Sequence, residues 1–150
     1  MATKRTWIVV ADAARARTYS TIRGSKAISE VQGGSFDNAA LHSHARDSGA
    51  DRPGRTVDSA GSARHAEEPR SDPHRKEKVS FVRLIAEQLE HRHQEFDNLV
   101  FIAPPQILGE MRKAIGAQTV KRLVKEVDKD LTKIPRAELP ARLADFLTPN

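Results

Sequence analysis

The first strong pattern along the chain is Thr6–Ala11, a continuous apolar run rich in β-branched residues, which predicts a buried central strand because it is too short for a helix. Asp12-Ala13 then turns the chain, and Arg15, Arg17, Tyr19 and Thr21 alternate with Ala14, Ala16, Thr18, Ser20 and Ile22. That period of two predicts a half-exposed second strand with both arginines on one face. Arg23-Gly24-Ser25 reads as a turn and Ala27–Gln32 as a third strand, completing an antiparallel meander that Gly33-Gly34 ends. Asn98–Ala103 is another apolar run, suited to a strand covered on both faces. Pro104-Pro105 ends it and opens a helix to Ile115, with Gly116 as its C-terminal cap. Residues 117–131 fit helical spacing through Val120, Val124, Val127 and Leu131, and strand spacing through Leu123, Lys125 and Val127, so periodicity leaves both readings open. The closing segment, 135–147, is helical at least from Pro140, with Leu143, Phe146 and Leu147 facing inward.

Residues 33–71 offer only Phe36, Leu41 and Val57 as large apolar side chains among Gly, Ser, Asp, Arg, Ala and His. Their composition predicts a long, mostly disordered loop within a single domain spanning residues 1–150. The loop closes on Asp72-Pro73, a helix N-cap followed by proline at the first helical position. From there to about His93, Val79, Val82, Ile85, Ala86 and Leu89 form one apolar stripe, widened by Phe81 and Leu84. Strands first, then helix, strand, helix, strand and helix predict an α/β fold. Its mixed β-sheet joins an N-terminal antiparallel meander to crossover units and is flanked by helices.

Charge changes this picture at one place. A helix start carries partial positive charge and favours Asp or Glu, yet Arg70, His74, Arg75 and Lys76 gather there with Glu77 to offset them. Free N–H groups, the helix dipole and clustered cations together make a phosphate seat. The whole chain, at 150 residues and net charge +5, leans toward anionic partners, although 20 acidic residues spread among 25 basic ones dilute the field. The absence of cysteine excludes disulfides, a thiolate nucleophile and Cys-ligated zinc. No apolar stretch reaches the length of a membrane span and Trp7–Ala11 is too short for a signal-peptide core, so the expectation is a cytoplasmic protein with no membrane partner.

Arg52, Arg55, Arg64, His65, Arg70, His74, Arg75 and Lys76 form the candidate RNA- or phosphate-binding set, with Arg15 and Arg17 as a secondary basic face. Arginines that become ordered on a phosphate backbone give so long a loop a purpose. The scarcity of aromatic residues favours backbone and shape contacts over stacking on bases. A different class of function, a metal-dependent hydrolase or nuclease, would draw on His42, His44, His65 and His74 with Asp47 and Asp51, whose spacing matches no closed zinc motif. Asp12, Asp128 and Asp130 are a further acidic set at strand ends. A third class is a protein-interaction module whose loop folds on its partner. No phosphate-loop, dinucleotide or nucleophile-elbow motif is present, so no catalytic residue, metal or cofactor is assigned.

Four stretches in order, WIVVADAARARTY, DRPGRTVDSAGSARHAEEPRSDPHRK, FDNLVFIAPPQILGEMR and EVDKDLTKIPRAELPARL, resemble the bacterial host attachment proteins over nearly the whole chain. That family is similar, more distantly, to the middle domain of archaeal and eukaryotic class-one release factors and their Pelota-like relatives. The resemblance implies a mixed sheet in which Leu123–Asp128 is a strand, and a loop placed where release factors carry a Gly-Gly-Gln tripeptide. Here the order is Gln32-Gly33-Gly34 and no Gly-Gly-Gln occurs, so the resemblance implies RNA or ribosome binding without peptide release. With no recognisable export signal, a role in attachment reads as indirect. The sequence leaves open both the attachment partner and whether an exposed edge of the second strand pairs two subunits into a homodimer.

Overall fold

Strand β1 (Arg5–Ala11) occupies the middle of the sheet, and Trp7 through Ala11 are all buried, as a run apolar on both faces requires. It pairs antiparallel with β2 (Arg15–Ile22) on one side and parallel with β5 (Asn98–Ala103) on the other. Two short strands, β3 (Ile28–Glu30) and β4 (Phe36–Asp37), share the outer edge of β2, and β6 (Leu123–Asp128) pairs parallel with β5. The sheet therefore has six strands, five in the order β3-β2-β1-β5-β6 and β4 off this path, paired with β2. The computed structural model describes residues 4–22, 27–38 and 73–147.

Helices cover both faces. On one, α1 (Pro73–His91) and α2 (Pro105–Ala114) bring Phe81, Val82, Ile85, Leu89, Ile107, Leu108 and Met111 onto Trp7, Val9, Leu99 and Phe101. On the other, α4 (Leu139–Leu147) sets Leu139 and Leu143 on Ile8, Val10, Val100 and Ile102. Each fully buried side chain of this kind contributes about 1.5–3 kcal/mol, so the alternation of β1 and β5 between the two cores fixes their register. A short helix, α3 (Ala117–Arg122), leads directly into β6.

Several expectations change in detail. The third strand is shorter than Ala27–Gln32, and Phe36–Asp37, read as part of the loop, is a strand because Phe36 finds the first core. The outer edge of β2 is occupied by β3 and β4, so it is not the exposed edge on which a homodimer was considered. Leu84, placed on the buried stripe of α1, is 44 % exposed. Residues 117–131 hold both a helix and a strand; the break falls at Leu123, and Leu123–Asp128 is the strand that the family resemblance implied. The expectation of disorder for the loop falls on residues 39–71, which lie outside the described residues, as does the Asp72 cap.

Gln32-Gly33-Gly34 has a local structural task. Gly33 takes φ +75°, where glycine alone is unstrained, and Gly34 N–H donates to Val31 O at 3.0 Å. A Cβ on Gly34 would lie 2.7 Å from Thr18 Cβ, so the chain passes too close to β2 for any other residue. Arg92 secures the same turn. It donates to Gln32 O at 3.1 Å, forks onto Glu95 and lies 4.8 Å above the ring of Trp7, which packs on Phe96. Arg92→Ala should cost about 1–2 kcal/mol and shift the emission of the single tryptophan, read by urea denaturation followed at Trp7.

Gly116 was expected to cap α2; it stands instead at the N-cap of α3, and the cap interaction comes from α1. Glu90 accepts hydrogen bonds from Gln118 N–H, Thr119 N–H and the Thr119 hydroxyl, at 3.2, 2.9 and 2.9 Å. A Cβ at position 116 would fall on the Glu90 carboxyl, which explains the glycine. The backbone N–H of Thr119, followed by its hydroxyl and Gln118 N–H, holds the Glu90 carboxyl below its ordinary value. A lowered folded-state value adds stability above the ordinary carboxylate range, and that stability is lost as pH falls through the lowered value. Glu90→Gln should therefore lower Tm at neutral pH, and the gap to the parent should close progressively on acidification.

Candidate functional site

The carboxyl ends of the parallel strands gather the chemistry. Asp12 closes the β1–β2 turn: its Oδ1 accepts Ala14 N–H and Arg15 N–H at 2.7 and 2.8 Å. Its Oδ2 lies 2.7 Å from the Thr132 hydroxyl, and that hydroxyl lies 2.7 Å from Asp130 Oδ1. Asp130 Oδ1 also accepts Thr132 N–H at 3.1 Å, an Asx turn just past β6. Two of the three strand-end carboxylates singled out in the sequence thus meet through one threonine. They brace the turn after β6 against the β1–β2 turn.

Beside this knot is a crevice of about 650 Å³ at the ends of β5 and β6. Pro104, Pro105, Leu131 and Phe146 supply its apolar surface, and Asp128, Lys129, Asp130, Arg142 and Asp145 its charge. Its position follows the general rule for open α/β sheets, in which ligands bind beyond the carboxyl ends of the strands. Among the described residues there is no group of three or more His, Asp or Glu able to hold a metal ion. His42, His44, His65, Asp47 and Asp51 lie outside the described residues, as does the side chain of His74, so the hydrolase alternative gains no described ligand set.

The start of α1 is docked at the same end. Asn38, 5 % exposed, donates its side-chain N–H groups to Ala13 O at 3.0 Å and Glu77 O at 3.3 Å, tying α1 just past its first turn to the β1–β2 turn. The first turn itself contains no acidic residue, and Arg75 and Lys76 are exposed on it, with Glu77 following. Of the other expected phosphate contacts, Arg52, Arg55, Arg64, His65 and Arg70 lie outside the described residues. Arg15 and Arg17 share a face, as their alternation predicted. The register pairs Arg17 with Val10 and Tyr19 with Ile8, so this is the face that α4 covers, opposite to α1. Arg15 also stands across from Asp37, which offsets its charge. The two basic groups therefore sit at one end of the sheet on opposite faces. Burial, with Glu30 beside it, pushes the phenol of Tyr19 above its ordinary value.

Asn38 and Thr132 are the positions that reading the sequence missed. Neither carries a motif, and their partners lie far along the chain.

A family model described as "Protein required for attachment to host cells" matches residues 7–143, nearly the whole chain. The chain belongs to that family. No curated protein matches it. The matched span of this host-attachment chain runs from within β1 into α4 and includes the basic start of α1 and the crevice residues up to Arg142, with Asp145 and Phe146 beyond it. No described helix is long and apolar enough to cross a membrane.

Proposed function

We propose that this host-attachment protein is a non-enzymatic domain that binds the phosphate backbone of structured RNA, the ribosome included, and that it affects attachment indirectly from the cytoplasm. Arg52, Arg55, Arg64, His65, Arg70, His74, Arg75 and Lys76 neutralise phosphates in this reading, with Arg15 and Arg17 as a flanking contact. The observation that carries it is the first turn of α1, where Arg75 and Lys76 stand exposed at the positive end of a long helix with no acidic residue in that turn and Glu77 just after it. Each cation there costs the isolated helix about 0.3–1 kcal/mol, a cost that a bound phosphate reverses. Gln32-Gly33-Gly34, occupied in a tight turn, supports binding without peptide release.

Sedimentation of cell lysate through sucrose gradients tests this reading. The proposal predicts comigration with ribosomal particles at low salt that is lost at high salt. Protein that stays at the top of the gradient in every condition overturns the ribosomal partner.

A further inference from the structure

Beyond RNA binding, we propose that the crevice at the ends of β5 and β6 is a separate binding site for a small zwitterion, a short peptide with free termini and an apolar side chain. Three carboxylates, Asp128, Asp130 and Asp145, share this crevice with two cations, Lys129 and Arg142. A purely anionic ligand would meet the carboxylates and a purely cationic one Lys129 and Arg142, whereas a molecule with an ammonium at one end and a carboxylate at the other uses both sets.

The side chains have charge available for such a ligand. Among the described residues, those of Asp128, Lys129, Arg142 and Asp145 make no ion pair or hydrogen bond with one another or with a neighbour. Asp130 is the exception, held by Thr132. Opposite charges gathered in one crevice and left unpaired are poised for groups brought from outside. The apolar part of the lining also matters. Leu131 is buried and Phe146 half-buried, next to Pro104, so an uncharged body between the two ligand ends has a surface to cover. At about 650 Å³, the space exceeds a single amino acid and falls within the usual range for ligand sites.

Lys129 and Arg142 are the crevice's donors for the carboxylate of the ligand, while Asp128 and Asp145 receive the ammonium.

The test is a 1H–15N correlation titration of the full chain with the dipeptide Leu-Phe, and with its N-acetyl, C-amide form as the uncharged control. The expected result is saturable shifts confined to residues 128–131 and residues 142–146, with a Kd of about 1 mM or tighter, and none from the blocked form. Arg142→Gln and Asp128→Asn, both at exposed positions and checked for folding in the same spectra, should each weaken binding roughly tenfold. No saturable shift up to about 10 mM, equal shifts from the blocked peptide, shifts centred elsewhere, or wild-type affinity in either variant overturns the proposal. RNA binding is measured separately by salt dependence, so failure of one reading leaves the other standing.

Discussion

Asp12→Ala is expected to lower the unfolding free energy by about 2–4 kcal/mol, while Asp12→Asn stays within about 0.5 kcal/mol of the parent. The alanine leaves Ala14 N–H and Arg15 N–H without their acceptor at the tip of the β1–β2 turn and takes one of its two carboxylate partners from the Thr132 hydroxyl. The asparagine preserves every contact by a different division of protons. Thr132 has one hydroxyl proton and two carboxylate oxygens at 2.7 Å, so in the parent it donates to only one of them at a time. With asparagine at position 12, the carbonyl oxygen still accepts the two backbone N–H groups. The amide donates to Thr132 Oγ1, which frees the threonine proton for Asp130. Urea denaturation of the three proteins reads both numbers. Equal losses in the two variants would mean that the charge of Asp12, and not its hydrogen-bond geometry, holds the turn.

Replacing Arg52, Arg55, Arg70 and Arg75 together with alanine is expected to make the log–log salt dependence of RNA binding shallower by about 3, and to weaken binding on the order of a hundredfold at moderate salt. Each lost phosphate contact removes about 0.7–0.9 from the slope, because one fewer counterion is released. The stability of the same variant should move the other way. Arg75 is exposed in a turn where the helix dipole disfavours it, so its removal should raise stability by a few tenths of a kcal/mol. Weaker binding by a protein that is no less stable separates loss of contacts from loss of fold. Anisotropy of a labelled hairpin RNA and thermal unfolding of the same samples supply the pair of readings.

The parts of the fold visible in the sequence are those decided by local pattern. β1 and β5 are apolar on both faces and stand out as continuous runs, and Pro73 and Pro105 announce the starts of α1 and α2 at the observed positions. Between residues 117 and 128 the same signal misleads. Val120 and Val124 are 52 % and 60 % exposed, so the spacing of valines there does not report burial, and the change from helix to strand falls between them. Gly116 reads locally as a cap of the helix before it, whereas its true neighbour, Glu90, belongs to α1, 26 positions earlier, and no local rule reaches that far.

The candidate site divides along the same line. The basic start of α1 is a local anomaly of charge and was visible as such. Asp12, Asp128 and Asp130 were visible as carboxylates at strand ends, but their division of labour was not. Thr132 joins Asp12 to Asp130 across 120 residues, leaving Asp128 to line the crevice. Asn38 docks α1 through contacts to Ala13 and Glu77, a role that nothing in its immediate sequence suggests.

The most direct test of the account is the affinity of the purified wild-type chain for a structured RNA across a salt series. Phosphate neutralisation by the eight basic positions predicts a log–log slope of about −6 between 50 and 200 mM salt, whatever the RNA sequence. An affinity that does not change over that range, or no binding at the lowest salt, would contradict it.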